Sequence, residues 1–327
     1  MLFYKLIKII PERFKIHHKI PLWLYNPSLI AQGGQNMSFN ILYITHALNG
    51  LLMIIMPIGL GFYLTRKYRL SWQLYWVGGA IFILSQVFHI PFNALVSLQF
   101  QSGRLPTPSV EWRLAFNSIF LGLSAGFFEE FARYLMYRWW TKDARSWRKA
   151  LLLGAGHGGI EAIVLGILVF ISYFIMIAMQ SIDLTKIVSG TQLSLAQSQL
   201  TAYWSYPWLD SLLGAVERLF ALCMQVSCSV MVLQVFTRKK IYWLFLAIAW
   251  HATVDAIAVY AASLWGAYVT EALVGGYAIA SLVLIYALRQ PEALEDMEEM
   301  PPLPTPPQFT PTEIIETEDK IQDTRYN

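Results

Sequence analysis

Seven apolar stretches, each roughly 20 residues or longer, constrain this chain more than any other feature. They lie near 39–64, 72–94, 112–137, 150–179, 208–236, 241–265 and 267–288. Backbone groups in hydrocarbon must find partners within the protein, so segments of this kind cross as helices. The expected fold is therefore all-α: a polytopic membrane bundle of about seven transmembrane helices. Composition agrees. Only 14% of residues are charged, against about a quarter in soluble domains.

The charges are unevenly spread. Residues 291–327 hold ten Asp/Glu against two Lys/Arg, which leaves 22 basic and 11 acidic side chains for the first 290 residues. Basic residues gather after the first span (Arg66, Lys67, Arg69), after the third (Arg138, Lys142, Arg145, Arg148, Lys149) and after the fifth (Arg238, Lys239, Lys240). The alternate loops carry few. By the positive-inside rule this places the N-terminus outside, the C-terminus in the cytosol, and the chain in the cell membrane as a multi-pass protein. No basic cluster is interleaved with a nucleic-acid fold, so no nucleic-acid partner is expected. The basic face meets lipid headgroups of the bilayer instead.

Three regions follow. Residues 1–36 hold Lys5, Lys8, Arg13, Lys15 and Lys19, in conflict with an outside N-terminus. Two explanations stand: "MLFYKLIKII" opens an interfacial helix, or the natural chain starts at Met37. Residues 37–289 form the membrane domain. Residues 290–327, with "PPLPTPPQFTP" and acidic flanks, form a tail too poor in apolar residues to build a core. Cys223 and Cys228 form no C-x-x-C motif and read as small core residues.

Six of the acidic residues before the tail fall inside the spans: Glu129, Glu130, Glu161, Glu217, Asp255 and Glu271. An ionisable side chain at the bilayer centre costs about 2.5–3.5 kcal/mol on insertion scales and marks a functional candidate. Counted from the basic ends of their own helices, Glu129, His157 and His251 sit at a shared depth of roughly 12–17 Å. Glu129 and Arg133, His157 and Glu161, and His251 and Asp255 are each spaced i,i+4, so each pair occupies one helical face. Singly, each pair could be a buried ion pair or a structural hydrogen bond. At a common depth they can build one polar cavity, opening toward the nearer, basic face. Glu217 with Arg218, and Glu271, lie nearer the other face in structural or gating positions. His46, His89, Asn49 and Asn93 read as packing or interface residues.

The chemistry of the cluster suits peptide hydrolysis, which needs an activated water, an oxyanion stabiliser and a proton donor. Two histidines and a carboxylate from separate helices also suit a catalytic zinc with one open position. The same residue types can form the proton relay of a coupled transporter. A catalytically silent membrane scaffold is the third possibility.

At these residues the chain resembles the YhfC family of intramembrane metalloproteases. More widely, it resembles the clan of the CAAX prenyl endopeptidases, the abortive-infection-type membrane proteases and PrsW. The clan's Glu pair and basic residue are matched by Glu129, Glu130 and Arg133. Its second motif is matched by His157 in "GHGGIEA", with Glu161 one turn on, and its third by His251 and Asp255 in "HATVD". The likeness covers about residues 37–288. It implies an intramembrane endopeptidase acting on a membrane-associated peptide or protein, with Glu129, Glu130 and Arg133 catalytic. On this reading His157, His251, Asp255 and Glu161 are the candidate metal ligands and zinc the candidate cofactor. Only Phe131 and Ala132 separate the Glu pair from Arg133, one residue fewer than in the prenyl endopeptidases. Leu153 stands where those enzymes carry an aromatic. Prenyl-peptide specificity is therefore not implied, and both a metal-bound and a directly Glu-activated water are compatible with these residues.

Overall fold

The computed structural model describes residues 41–289. The expectations for residues 1–36 and for the tail 290–327 lie outside the described residues. Within them run eight α-helices and no strand: α1 Ile41–Tyr68, α2 Trp72–Gln101, α3 Val110–Leu135, α4 Trp147–Ser181, α5 Gly190–Trp204, α6 Leu213–Thr237, α7 Tyr242–Leu264 and α8 Ala267–Ala287. The protein is an all-α, polytopic membrane bundle. Ser71 and Ser146 start α2 and α4 by accepting backbone hydrogen bonds from Gln73 and Lys149, so two otherwise orphaned helix-terminal N–H groups are satisfied.

Six helices are long and apolar enough to cross a membrane by length and composition alone. Five of these match expected spans directly, and the sixth extends α6 back to Asp210. The remaining expected span, 112–137, is helical as α3 but is not among the six. It carries Glu111, Arg113, Glu129, Glu130 and Arg133. The last three are buried inside the bundle, so the burden that lowers the helix's average hydropathy does not face lipid. Around the bundle, large apolar side chains such as Phe62, Phe88, Phe174, Phe245 and Ile279 stay exposed, as a lipid-facing perimeter requires.

Helix α4 is the hub. It packs on α1, α2 and α6, while α3 lies along α7 and α6 along α8. "GAGHGG" could have bent α4 or let a neighbour come close. The helix is unbroken, and close approach is what the glycines provide. A Cβ on Gly156 would lie 1.9 Å from the Tyr75 carbonyl oxygen on α2. Gly126 does the same for α3 on α7, where a Cβ would lie 2.7 Å from the carbonyl of Ile248.

Cation–ring contacts gather the basic loops at one end. Arg148 lies 5.6 Å from the Tyr68 ring, Arg145 lies 4.3 Å from Phe236, and Arg289 lies 5.3 Å from Trp147. Arg145 also donates to the carbonyls of Tyr137 and Thr141, which satisfies a π-helical turn at Met136–Trp140 closing α3. At the opposite end the polar loop 182–207 folds into α5. There Tyr203 stacks on His46 at 4.2 Å, and Trp204 donates to the Met176 carbonyl. His46 thus sits in a packing position.

Candidate active site

The adjacent carboxylates of α3 turn to different partners, because neighbouring helical side chains diverge by about a quarter turn. Glu129 faces α2, α4 and α6. Its Oε2 accepts from His157 Nε2 at 3.0 Å and Gln225 Nε2 at 3.2 Å, and its Oε1 accepts from Gln86 Nε2 at 3.1 Å. Glu130 faces α7 and its own helix. Its Oε1 accepts from Arg133 at 2.5 Å and from His251 Nδ1 at 2.7 Å. All four of Glu130, Arg133, His157 and His251 are essentially sealed from solvent, and Glu129 nearly so.

Two imidazoles meet one carboxylate oxygen here. With Nδ1 donating to Glu130, His251 turns Nε2 toward Glu129 Oε2 at 3.9 Å and toward Asp255 Oδ2 at 3.5 Å. His157 reaches the same Glu129 oxygen. Helices α3, α4 and α7 therefore bring Glu129, Glu130, Arg133, His157, His251 and Asp255 together. Glu161 is brought to a neighbouring group instead. Its two oxygens accept from Arg218 and from Gln225, and Arg218 also pairs with Glu217.

The linking residue is Gln225 of α6, which the ionisable residues alone do not reveal. Its amide nitrogen donates to both Glu129 and Glu161, and its carbonyl oxygen accepts from Arg133. Gln86 has a similar role on the other side. It donates to Glu129 and bonds His89, which in turn contacts Ser124 and Asn93. So His89, expected to be a packing residue, belongs to the outer ring of this network. Cys228 also gains a neighbourhood: donor atoms of Glu130, Cys228 and His251 lie within 4.8 Å of one another. The signal for Gln86 and Gln225 was available. A carboxamide deep in an apolar span is costly too, and demands partners.

These residues fit a metal of the zinc type. Imidazole, carboxylate and thiol donors converge, and ligand atoms on a tetrahedral zinc stand roughly 3.3 Å apart at the usual bond lengths. Glu129 Oε2 lies 3.0 and 3.9 Å from the two imidazole nitrogens, and among the described residues the donor group close enough together for one ion is Glu130, Cys228 and His251. Glu130 Oε2 and His157 Nδ1 are buried with no hydrogen-bond partner, leaving donor capacity in the cluster.

A family model described as YhfC intramembrane metalloprotease matches residues 52–278. The chain belongs to the YhfC family. Among curated relatives, the uncharacterized membrane protein YhfC of Bacillus subtilis strain 168 is 31% identical over 219 residues. That alignment covers 65% of this chain and 82% of the relative. No solved structure matches. The part matched by the YhfC model contains every residue of the cluster just described, including Gln86, Gln225 and Cys228.

Proposed function

We propose that this member of the YhfC family is an intramembrane endopeptidase of the cell membrane, with its N-terminus outside and its C-terminus in the cytosol. It hydrolyses peptide bonds of a membrane-associated polypeptide. The observation that carries this reading is the Glu129 carboxylate, sequestered from solvent and approached through one oxygen by both His157 and His251. Glu129 accepts the proton of the attacking water and returns it to the leaving amine. Glu130 holds His251 by Nδ1, which directs Nε2 at the reacting centre. Arg133 balances the charge of Glu130 and, through Gln225, keeps Glu129 in register. His157 and His251 would hold a zinc ion, which would supply Lewis acidity and lower the pKa of a bound water. Asp255 steadies His251. The metalloprotease description of the YhfC family supports the same reading.

The test uses purified protein and a library of membrane-associated peptides, with and without chelator. Cleavage by the wild-type chain is expected. In Glu129→Gln it should fall by about 10²–10⁴, the usual contribution of a positioned general base, with the fold retained. A wild-type protein that cleaves nothing, with or without added zinc, ends the protease reading.

A further inference from the structure

The depth of the site favours access from the basic face, yet α3, α4 and α6 are plugged on that side. On α4, Leu152 and Leu153 stand between the basic loop and His157. On α6, Val230 and Leu233 stand between Gln225 and Arg238. Past Arg133, Tyr137 closes α3. These five residues are sealed from solvent and belong to one hydrophobic core with Tyr75 and Ala247. The polar side chains in and beside it, Tyr137, Ser229 and Gln234, are buried and already hydrogen-bonded within the protein, so water finds few free groups to follow.

The other direction differs on α4, α7 and α6. One turn beyond His157 is Glu161, one turn beyond His251 is Asp255, and two turns from Gln225 are Glu217 and Arg218. Their side chains are 19%, 37%, 26% and 12% exposed. A partly exposed carboxylate inside a hydrocarbon slab is stable only where the exposure is to a water-filled cavity. Asp255 shares a face of α7 with His251, and its Oδ2 lies 3.5 Å from His251 Nε2, so the carboxylate stands beside the site. Glu271 of α8, near the end away from the basic loops, has a buried Oε2 with no hydrogen-bond partner.

We infer that the site is hydrated and served from the face opposite the basic loops, through a polar vestibule lined by Asp255, Glu161, Arg218, Glu217 and Glu271. Resting on the protease reading, this makes the substrate a polypeptide segment presented at that face, which the positive-inside rule makes the extracytoplasmic one. The Arg218 ion pairs with Glu161 and Glu217 stand at the inner end of the vestibule, next to Gln225. A substrate or water file must pass them to reach Glu129.

The test needs no catalysis. In a full-length Cys223→Ser background, Asp255→Cys and Glu271→Cys are each treated with a membrane-impermeant thiol reagent. Intact cells expose one face, and inside-out vesicles the other. Lys239→Cys reports the basic face, and Leu153→Cys reports the plug. The expected result is loss of free thiol at 255 and 271 from the side opposite to that which modifies 239, with 153 spared from both. Modification of 255 and 271 from the same side as 239 overturns the vestibule. So does protection of both positions from both sides in protein that still labels at 239. Opposite-side labelling alongside a wild-type chain that cleaves no peptide would keep the vestibule and remove only the protease reading.

Discussion

Two arginine clusters meet at Gln225 in this bundle and are built alike, each guanidinium paired to at least one carboxylate. Arg133 pairs with Glu130 and Gln225 in a region where every member is sealed. Arg218 pairs with Glu161 and Glu217 where every member keeps some exposure. The chemistry is the same and the surroundings differ. In a dry site, a charge left without its partner has no substitute. In a wet one, water takes the partner's place. The first cluster therefore holds the fold and orients Glu129 and His251, whereas the second is suited to open and close.

Removing each arginine should expose that difference. Arg133→Ala strands Glu130 and deletes a partner of Gln225, so a loss of about 3–5 kcal/mol is expected, the usual cost of orphaning a buried charge. It would be read as a collapse in membrane abundance and in thermal stability in detergent. Near-normal abundance would show that Glu130 is not held as an ion. The junction comes next. Gln225→Leu removes the hydrogen bonds to Glu129, Glu161 and Arg133, at an expected cost of about 1–3 kcal/mol for buried groups left unpaired. Gln225→Glu should behave worse than Leu, since it adds a third carboxylate between Glu129 and Glu161. Equal melting temperatures for the two variants would argue against a charge-ordered junction. The smallest effect belongs to Arg218→Met, about 1–2 kcal/mol: it unpairs two mostly buried carboxylates, but each keeps an exposed edge that water can reach. Its signature is access: thiol modification at position 255 should speed up, with little change in melting. A stability loss as large as that of Arg133→Ala would make the two clusters equivalent and end the comparison.

Much of this architecture was legible beforehand. Most helix ends fell within about five residues of the apolar stretches, because length and hydropathy are local properties of a segment that must satisfy its own backbone, whereas α2 runs on past 94 to Gln101. The glycines of α4 announced a close approach or a bend, and only the neighbouring Tyr75 backbone decided between them. Likewise the i,i+4 pairs announced faces, and depth counting announced a shared layer. Glu161 shows the limit of that method. It shares a face with His157, yet its oxygens go to Arg218 and Gln225 on another helix. Helical spacing fixes who shares a face, and says nothing about which foreign side chain arrives there.

By itself, the sequence determined an all-helical membrane bundle, a basic end and an opposite end, and a layer of carboxylates and imidazoles within it. Those follow from hydropathy, from the cost of burying charge and from the fixed rise of a helix. Tertiary structure decided how the two adjacent glutamates divide their partners, that Gln225 and Gln86 complete the site, and on which side of it the bundle is dry. Those depend on the rotation of one helix against another, set by contacts such as Gly126 on Ile248 and Gly156 on Tyr75, far apart along the chain.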